Sequence, residues 1–229
     1  MLKLDSIAFS YGNTEILKGI TLQLEAGKIH GLAGLNGSGK TTLLQVIYGL
    51  LQPQKGNISF HNKAISKNET VFLEAANYFY HRLTTKETLQ FFAFTNPTFE
   101  IEKWLEIFAL TGQELSEDLS TGMRKKLGIL CALAKDQPLL LLDEPFNGLD
   151  MESVMVLNAI LKEWRKRGKT ILITSHILET LIENCDSIQT FAGGRIIQSY
   201  APSEYNQMKI DFFVGMEEKL EASVGALMS

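Results

Sequence analysis

Residues 34 to 42 read GLNGSGKTT. That order satisfies G-x-x-x-x-G-K-[ST], a spacing that suits phosphate oxygens. Gly34, Gly37 and Gly39 let the backbone wrap closely around an anion with its N–H groups turned inward. Asn36 and Ser38 complete the loop. A helix opening at Lys40 aims the positive end of its dipole at the same anion. Lys40 then neutralises the β- and γ-phosphates, the Thr41 hydroxyl ligates magnesium, and Thr42 adds a hydrogen bond. A chance match in a chain of this length has a likelihood of roughly one per cent or less. The stretch is therefore read as a nucleotide phosphate site.

A second stretch, LLLLDEPFNGLD at residues 139 to 150, runs four leucines into Asp143 and Glu144. Charge at the end of an apolar strand is costly unless something binds it. In a parallel sheet, ligands sit beyond the carboxyl ends of the strands. Asp143 can face the magnesium there, directly or through water, since Mg²⁺ takes only one or two carboxylates. Glu144 is then placed to polarise an attacking water as general base. A solvated strand end is the plainer alternative, and the leucines leading into the pair argue against it.

These groups need strands that end together and a helix that starts at the loop. LKLDSIAF, ILKGITLQLE and KIHGLAGL read as strands separated by turns at Tyr11-Gly12-Asn13 and Ala26-Gly27-Lys28. A helix is expected from Lys40 to about Gly49, and KGNISFHNKAI looks like a hairpin. From about residue 84 to 136 the period turns helical. Thr84 with Glu87 makes a capping box, FEIEKWLEIFAL stops near Gly112, and GMRKKLGILCALAK ends at Asp136 and Pro138. Strands and helices then alternate through LLLLDE, MESVMVLNAILKEWRKRG, TILITS, ILETLIENC and SIQTFAGGRIIQSY. That alternation implies a mainly parallel sheet covered on both faces. Residues from about 201 to 229 carry only a weak amphipathic helical pattern.

The chain has 229 residues, 45% hydrophobic and 21% charged, with a net charge of −4, which suits a globular domain and argues against nucleic acid as the partner. Cys131 and Cys185 have no metal-like or redox-like spacing. No signal-peptide pattern is visible, and no apolar run reaches the ~18 residues of a membrane helix. The expected location is cytoplasmic, with any membrane role reached by docking to another protein.

The glycine loop alone would fit a kinase, a GTPase, a helicase or a transport motor. DLSTGMRKKL at 118 to 127 decides among them, together with SYG, DEP, GLD and TSH. With these motifs in order from about residue 2 to 200, the chain resembles the nucleotide-binding domain of ATP-binding cassette (ABC) proteins. The resemblance implies an α/β P-loop NTPase cassette in a single domain over residues 1 to 229. It would have a mainly parallel core sheet, an antiparallel N-terminal β subdomain and a helical subdomain inserted at about 70 to 136. It also implies that Tyr11 stacks on the adenine of ATP. LSTGM resembles the family signature LSGGQ, with Thr121 and Met123 departing from it. Ser120, Thr121 and Gly122 would then contact the γ-phosphate held by a second subunit, Asp150 would cross the dimer interface, and His176 would sense the γ-phosphate. His30, His61 and His81 match nothing in the family pattern and are read as structural.

The implied function is ATP hydrolysis, with Mg²⁺, that powers transport through a separate transmembrane permease, the subunit lying peripherally on the inner face of the membrane. The dimer would be a homodimer or a heterodimer with another cassette. The single short cassette and LSTGM lean toward export. Soluble-factor members usually carry two cassettes in one chain, and chromosome-maintenance relatives need long coiled coils; neither is visible. One departure stands out. Spacing back from Leu83-Thr84 puts the family's usual glutamine at Ala75, beside Glu74. Either hydrolysis runs without that contact, or the site binds ATP as a slow regulatory switch. The aromatic cluster Tyr78, Phe79 and Tyr80 in the same segment is read as part of a docking surface for the permease or as subdomain core.

Overall fold

The alternating N-terminal residues form a strand whose alternation slips once. In the computed structural model, which describes residues 1–214, β1 (Leu2–Tyr11) buries Leu2 and Leu4, then Ile7 and Phe9. The shift is a bulge at Asp5–Ser6, where Ser6 has a φ of 53°. The facing residue must be glycine: a Cβ on Gly56 would lie 2.3 Å from the Asp5 carbonyl oxygen.

The chain continues through β2 (Thr14–Leu24), β3 (Ile29–Ala33), α1 (Lys40–Tyr48), β4 (Lys55–Phe60), β5 (Lys63–Ala64) and β6 (Thr70–Leu73). Next come α2 (Thr85–Phe92), α3 (Ile101–Ile107) and α4 (Thr121–Lys135). Then β7 (Leu139–Asp143), α5 (Met151–Lys166), β8 (Thr170–Ser175), α6 (Leu178–Asn184), β9 (Ser187–Ala192) and β10 (Arg195–Tyr200) alternate. A last helix, α7, runs through residues 205 to 214.

β1, β2, β4 and β5 make an antiparallel sheet in the order β2-β1-β4-β5. The second sheet has the order β10-β9-β3-β8-β7-β6, parallel except for β10. Pleating divides the leucine strand between two cores. Leu139 and Leu141 join the core that holds α1 and the antiparallel sheet, whereas Leu140 and Leu142 join the core under α4, α5 and α6. Each fully buried leucine contributes about 1.5–3 kcal/mol. That two-sided burial is why β7 reads as a continuous apolar run.

Two expectations shift. Residues 70 to 73, placed by the sequence at the start of the helical subdomain, are a core-sheet strand paired with β7. The helical part follows β6. The helix expected up to Gly112 stops at Ile107. Ala109 turns left-handed with a φ of 51°, and the N–H groups of Ala109 and Leu110 return to the carbonyls of Glu106 and Leu105. This is a Schellman stop with alanine in the glycine place, held by the burial of Leu110. α7 is anchored by buried Met208 and by Tyr205, whose hydroxyl donates to the Cys185 carbonyl at 2.9 Å. The remainder of the expected weak helix, residues 215 to 229, lies outside the described residues.

Candidate active site

Three neighbouring parallel strands end together. Ala33 of β3 is level with Ser175 of β8, and Thr174 of β8 is level with Asp143 of β7. The glycine loop, the two acids and His176 therefore emerge side by side at one edge of the sheet.

The loop conformation needs its glycines at particular places. Gly37 and Gly39 have φ of 76° and 104°. Gly34 passes so near β9 that a Cβ would lie 2.5 Å from the Phe191 carbonyl oxygen. Lys40 is buried and folds back into the loop, donating to the carbonyls of Gly34 at 2.7 Å and Leu35 at 3.2 Å. Its Nζ lies 3.6 Å from Glu144 Oε1.

The acids are held by hydroxyls. Thr41 Oγ1 donates to Asp143 Oδ2 and Thr174 Oγ1 to Asp143 Oδ1, both at 2.6 Å. The Glu144 N–H donates to the same Thr174 oxygen at 3.0 Å. Glu144 has a φ of 46°, a conformation that costs a non-glycine residue about 1–2 kcal/mol. That turn swings its carboxylate away from the strand and toward Lys40 and His176. His176 Nδ1 lies 3.0 Å from Glu144 Oε2.

Among the described residues, two buried oxygens in this cluster, Ser38 Oγ and Glu144 Oε1, have no hydrogen-bond partner. A hydroxyl, a carboxylate, a threonine–aspartate pair and a buried ammonium around one loop fit a phosphate with a hard divalent cation. Thr41 and Asp143 could hold the cation.

Residues 17–147 match the family model described as ABC transporter. The chain belongs to the ABC transporter family.

This cassette is 30% identical over 219 residues to the bacitracin transport ATP-binding protein of Enterococcus faecalis, covering 90% of this chain and 71% of that one. It is 30% identical to the lantibiotic transport ATP-binding protein of Streptococcus pyogenes, covering 86% and 89%. A solved ATP-binding subunit of an ABC transporter superposes with a TM-score of 0.80 at 28% identity, covering 88% and 90%. The cassette is thus an ATP-binding, ATP-hydrolysing subunit of a transporter, with the expected α/β fold.

Most of the other expected site residues make no bond to this cluster among the described residues. Tyr11 ends β1, half exposed, with its ring edge-on to Phe9 at 4.9 Å. Ser120 caps α4 by accepting from the Met123 N–H at 3.2 Å. Among the described residues no hydrogen bond or ion pair joins Ser120, Thr121 or Gly122 to the glycine loop of the same chain. Gly122 instead packs on the segment before α5, where a Cβ would lie 2.8 Å from the Gly148 carbonyl oxygen. Asp150 caps α5 and pairs with Lys126 at 2.8 Å. The Lys126 ammonium and then the Ser153 N–H hold its carboxyl well below the usual range. Thr42 follows Thr41 on α1. His30 is buried between the Ser187 hydroxyl and the Glu25 carbonyl, and burial lowers its pKa.

Sequence reasoning missed Thr174, which orients both acids. Its signal is a lone threonine in the apolar strand TILITS, recognisable only once β8 is set in register with β7. Lys126, the partner of Asp150, was missed for the same reason. Ala75 is exposed on the segment between β6 and α2, and its carbonyl accepts from Lys125 at 2.8 Å. Glu74 is also exposed; partial desolvation, and after it the charge of Asp143, raises its carboxyl.

Proposed function

We propose that this cassette hydrolyses ATP at the Lys40–Asp143–Glu144–His176 cluster and drives export through a separate membrane permease. The supporting observation is the hydroxyl network that holds Asp143 from both sides and presents Glu144 to Lys40 and His176. The loop N–H groups from Gly34 to Thr42 and the Lys40 ammonium bind the phosphates, and Tyr11 stacks on the base. Magnesium, when bound by Thr41 and Asp143, supplies charge neutralisation on the phosphate oxygens. Glu144 takes the proton of the attacking water, with His176 fixing the carboxylate. Asn36 and Ser38 line the loop. Ser120, Thr121 and Gly122 complete the site of a second cassette, and Asp150 faces that partner. Closure on ATP then follows from tighter binding to the closed state. The export reading rests on relatives whose names concern bacitracin and lantibiotic transport.

The permease docks where the segment after β6 meets the helical part. Leu73, Tyr78, Phe79, Phe92 and Cys131 line a cavity of about 190 Å³ there. Tyr78 and Tyr80 are exposed at 86% and 67%, a wide aromatic surface for a lone subunit. Such docking would leave the subunit peripheral on the cytoplasmic side of the membrane; among the described residues no helix is long and apolar enough to cross one.

Glu144→Gln with ATP and magnesium tests the reading by light scattering. An ATP-dependent dimer is the expected outcome. Failure to bind ATP would sink it. A second reading, a slow regulatory ATP-binding subunit, is favoured by Ala75. It requires wild-type turnover at least a hundredfold below about 1 per second, the low end of ordinary enzymes.

A further inference from the structure

Lys125 is a buried cation with no carboxylate in ion-pair range among the described residues. It stands one and a half turns into α4, five residues after Ser120. Its ammonium donates to two backbone carbonyls, Glu74 at 3.2 Å and Ala75 at 2.8 Å. One turn on, Gly128 packs on the same segment, where a Cβ would lie 2.8 Å from both Asn77 Cγ and Leu73 Cδ1. One face of α4 is thus fitted to residues 73–77, the chain that leaves β6 for the helical part. Ala75 offers no polar side chain, so Lys125 is a main polar tie between that segment and α4.

The charges that reach Lys125 belong to the catalytic cluster. Burial lowers its pKa to about 8, and Asp143 and Glu144 oppose that fall. The Glu74 carboxylate belongs to the gripped segment itself. Arg124 and Lys126, its neighbours on α4, are directed elsewhere, to the Leu119 and Glu117 carbonyls and to Asp150.

We propose that Lys125 is a positioning residue for ATP hydrolysis: its ammonium clamps the Glu74–Ala75 backbone to α4 beside Asp143 and Glu144. The clamp connects three parts that must act together, namely the acids of β7, the segment entering the helical part, and the helix that begins at Ser120. It rests on the function proposed above for Asp143 and Glu144. The cationic form grips the carbonyls and is favoured by the charges of the two acids. Loss of its proton weakens both interactions, so hydrolysis falls on the alkaline side.

Steady-state ATPase assays from pH 6.5 to 10 on the full chain test this. Lys125→Met should lower kcat about tenfold while changing the dissociation constant for ATP less than about threefold. Lys125→Arg, which keeps its charge, should retain activity at neutral pH and move the alkaline fall upward by about one pH unit or more. Identical alkaline limbs for wild type and Lys125→Arg would overturn the proposal, as would a Lys125→Met kcat within about twofold of wild type. If the variants do not fold, Cε shifts of ¹³C-lysine-labelled wild type decide instead. One lysine should titrate near pH 8, and lower still in Glu144→Gln, as loss of that neighbouring charge requires. No lysine titrating below about 9.5 would equally overturn it. The nuclear magnetic resonance readout stands even if wild type proves not to hydrolyse ATP, which would instead overturn the function reading.

Discussion

Lys40, Thr41, Asp143 and Glu144 could be found from sequence because each belongs to a short local pattern. Thr174 could not, because its importance lies in a partner across a strand boundary. It donates to Asp143 and accepts from the Glu144 N–H, so one hydroxyl sets the direction of both acids. Thr174→Val keeps the shape and removes that hydroxyl. A buried carboxylate oxygen and a buried N–H then lose their partner, at about 1–3 kcal/mol each. Part of that cost is relieved by Glu144 relaxing out of its left-handed turn, which would misplace the carboxylate. The expected outcome is a stability loss of about 2 kcal/mol in urea unfolding and a kcat at least about tenfold lower, with ATP affinity little changed. A destabilised variant with full kcat would show that Thr174 acts on folding alone.

Among the elements, those with end signals were legible. The Thr84–Glu87 capping box, the Gly49 stop of α1 and the Asp136 stop of α4 all lie where the sequence places them. β6 was not legible, because four residues show no usable period and acquire their strand character by pairing with β7. The early end of α3 was hidden for a related reason. Alanine favours helix, yet Ala109 is left-handed because burying Leu110 outweighs the local preference. Ala109→Gly removes the Cβ penalty, about 1–2 kcal/mol, at a small cost in unfolded-state entropy. We expect the melting temperature to rise by about 2–4 °C with ATPase activity unchanged. A lower melting temperature would show that the turn is not held left-handed in solution.

At the scale of the molecule, the parallel sheet and its covering helices followed from the alternation of strands and helices. Completion of the site by a second copy came only from the family resemblance, and it remains a proposal. Among the described residues the glycine loop and Ser120 share no hydrogen bond or ion pair, which suits a site completed by a second cassette. The cleft after β6 is lined by neither the glycine loop nor the two acids, which suits a different partner there. That cleft borders the segment gripped by Lys125, so a load there bears on the backbone beside Asp143 and Glu144. Tyr80 also stacks edge-on against Phe91 of α2, giving the surface an aromatic ridge rather than isolated rings. Anchors of this kind dominate interface energies when they are truncated. Replacing Tyr78 and Tyr80 together with alanine should therefore cut cosedimentation with membranes from cells that express the cassette and its permease by at least about tenfold. Binding of a fluorescent ATP analogue to the purified double variant should be unchanged, because neither tyrosine lines the pocket at the glycine loop. If cosedimentation persists at the wild-type level, the ridge is not the docking surface, and contact with the permease must lie on another face of the helical part.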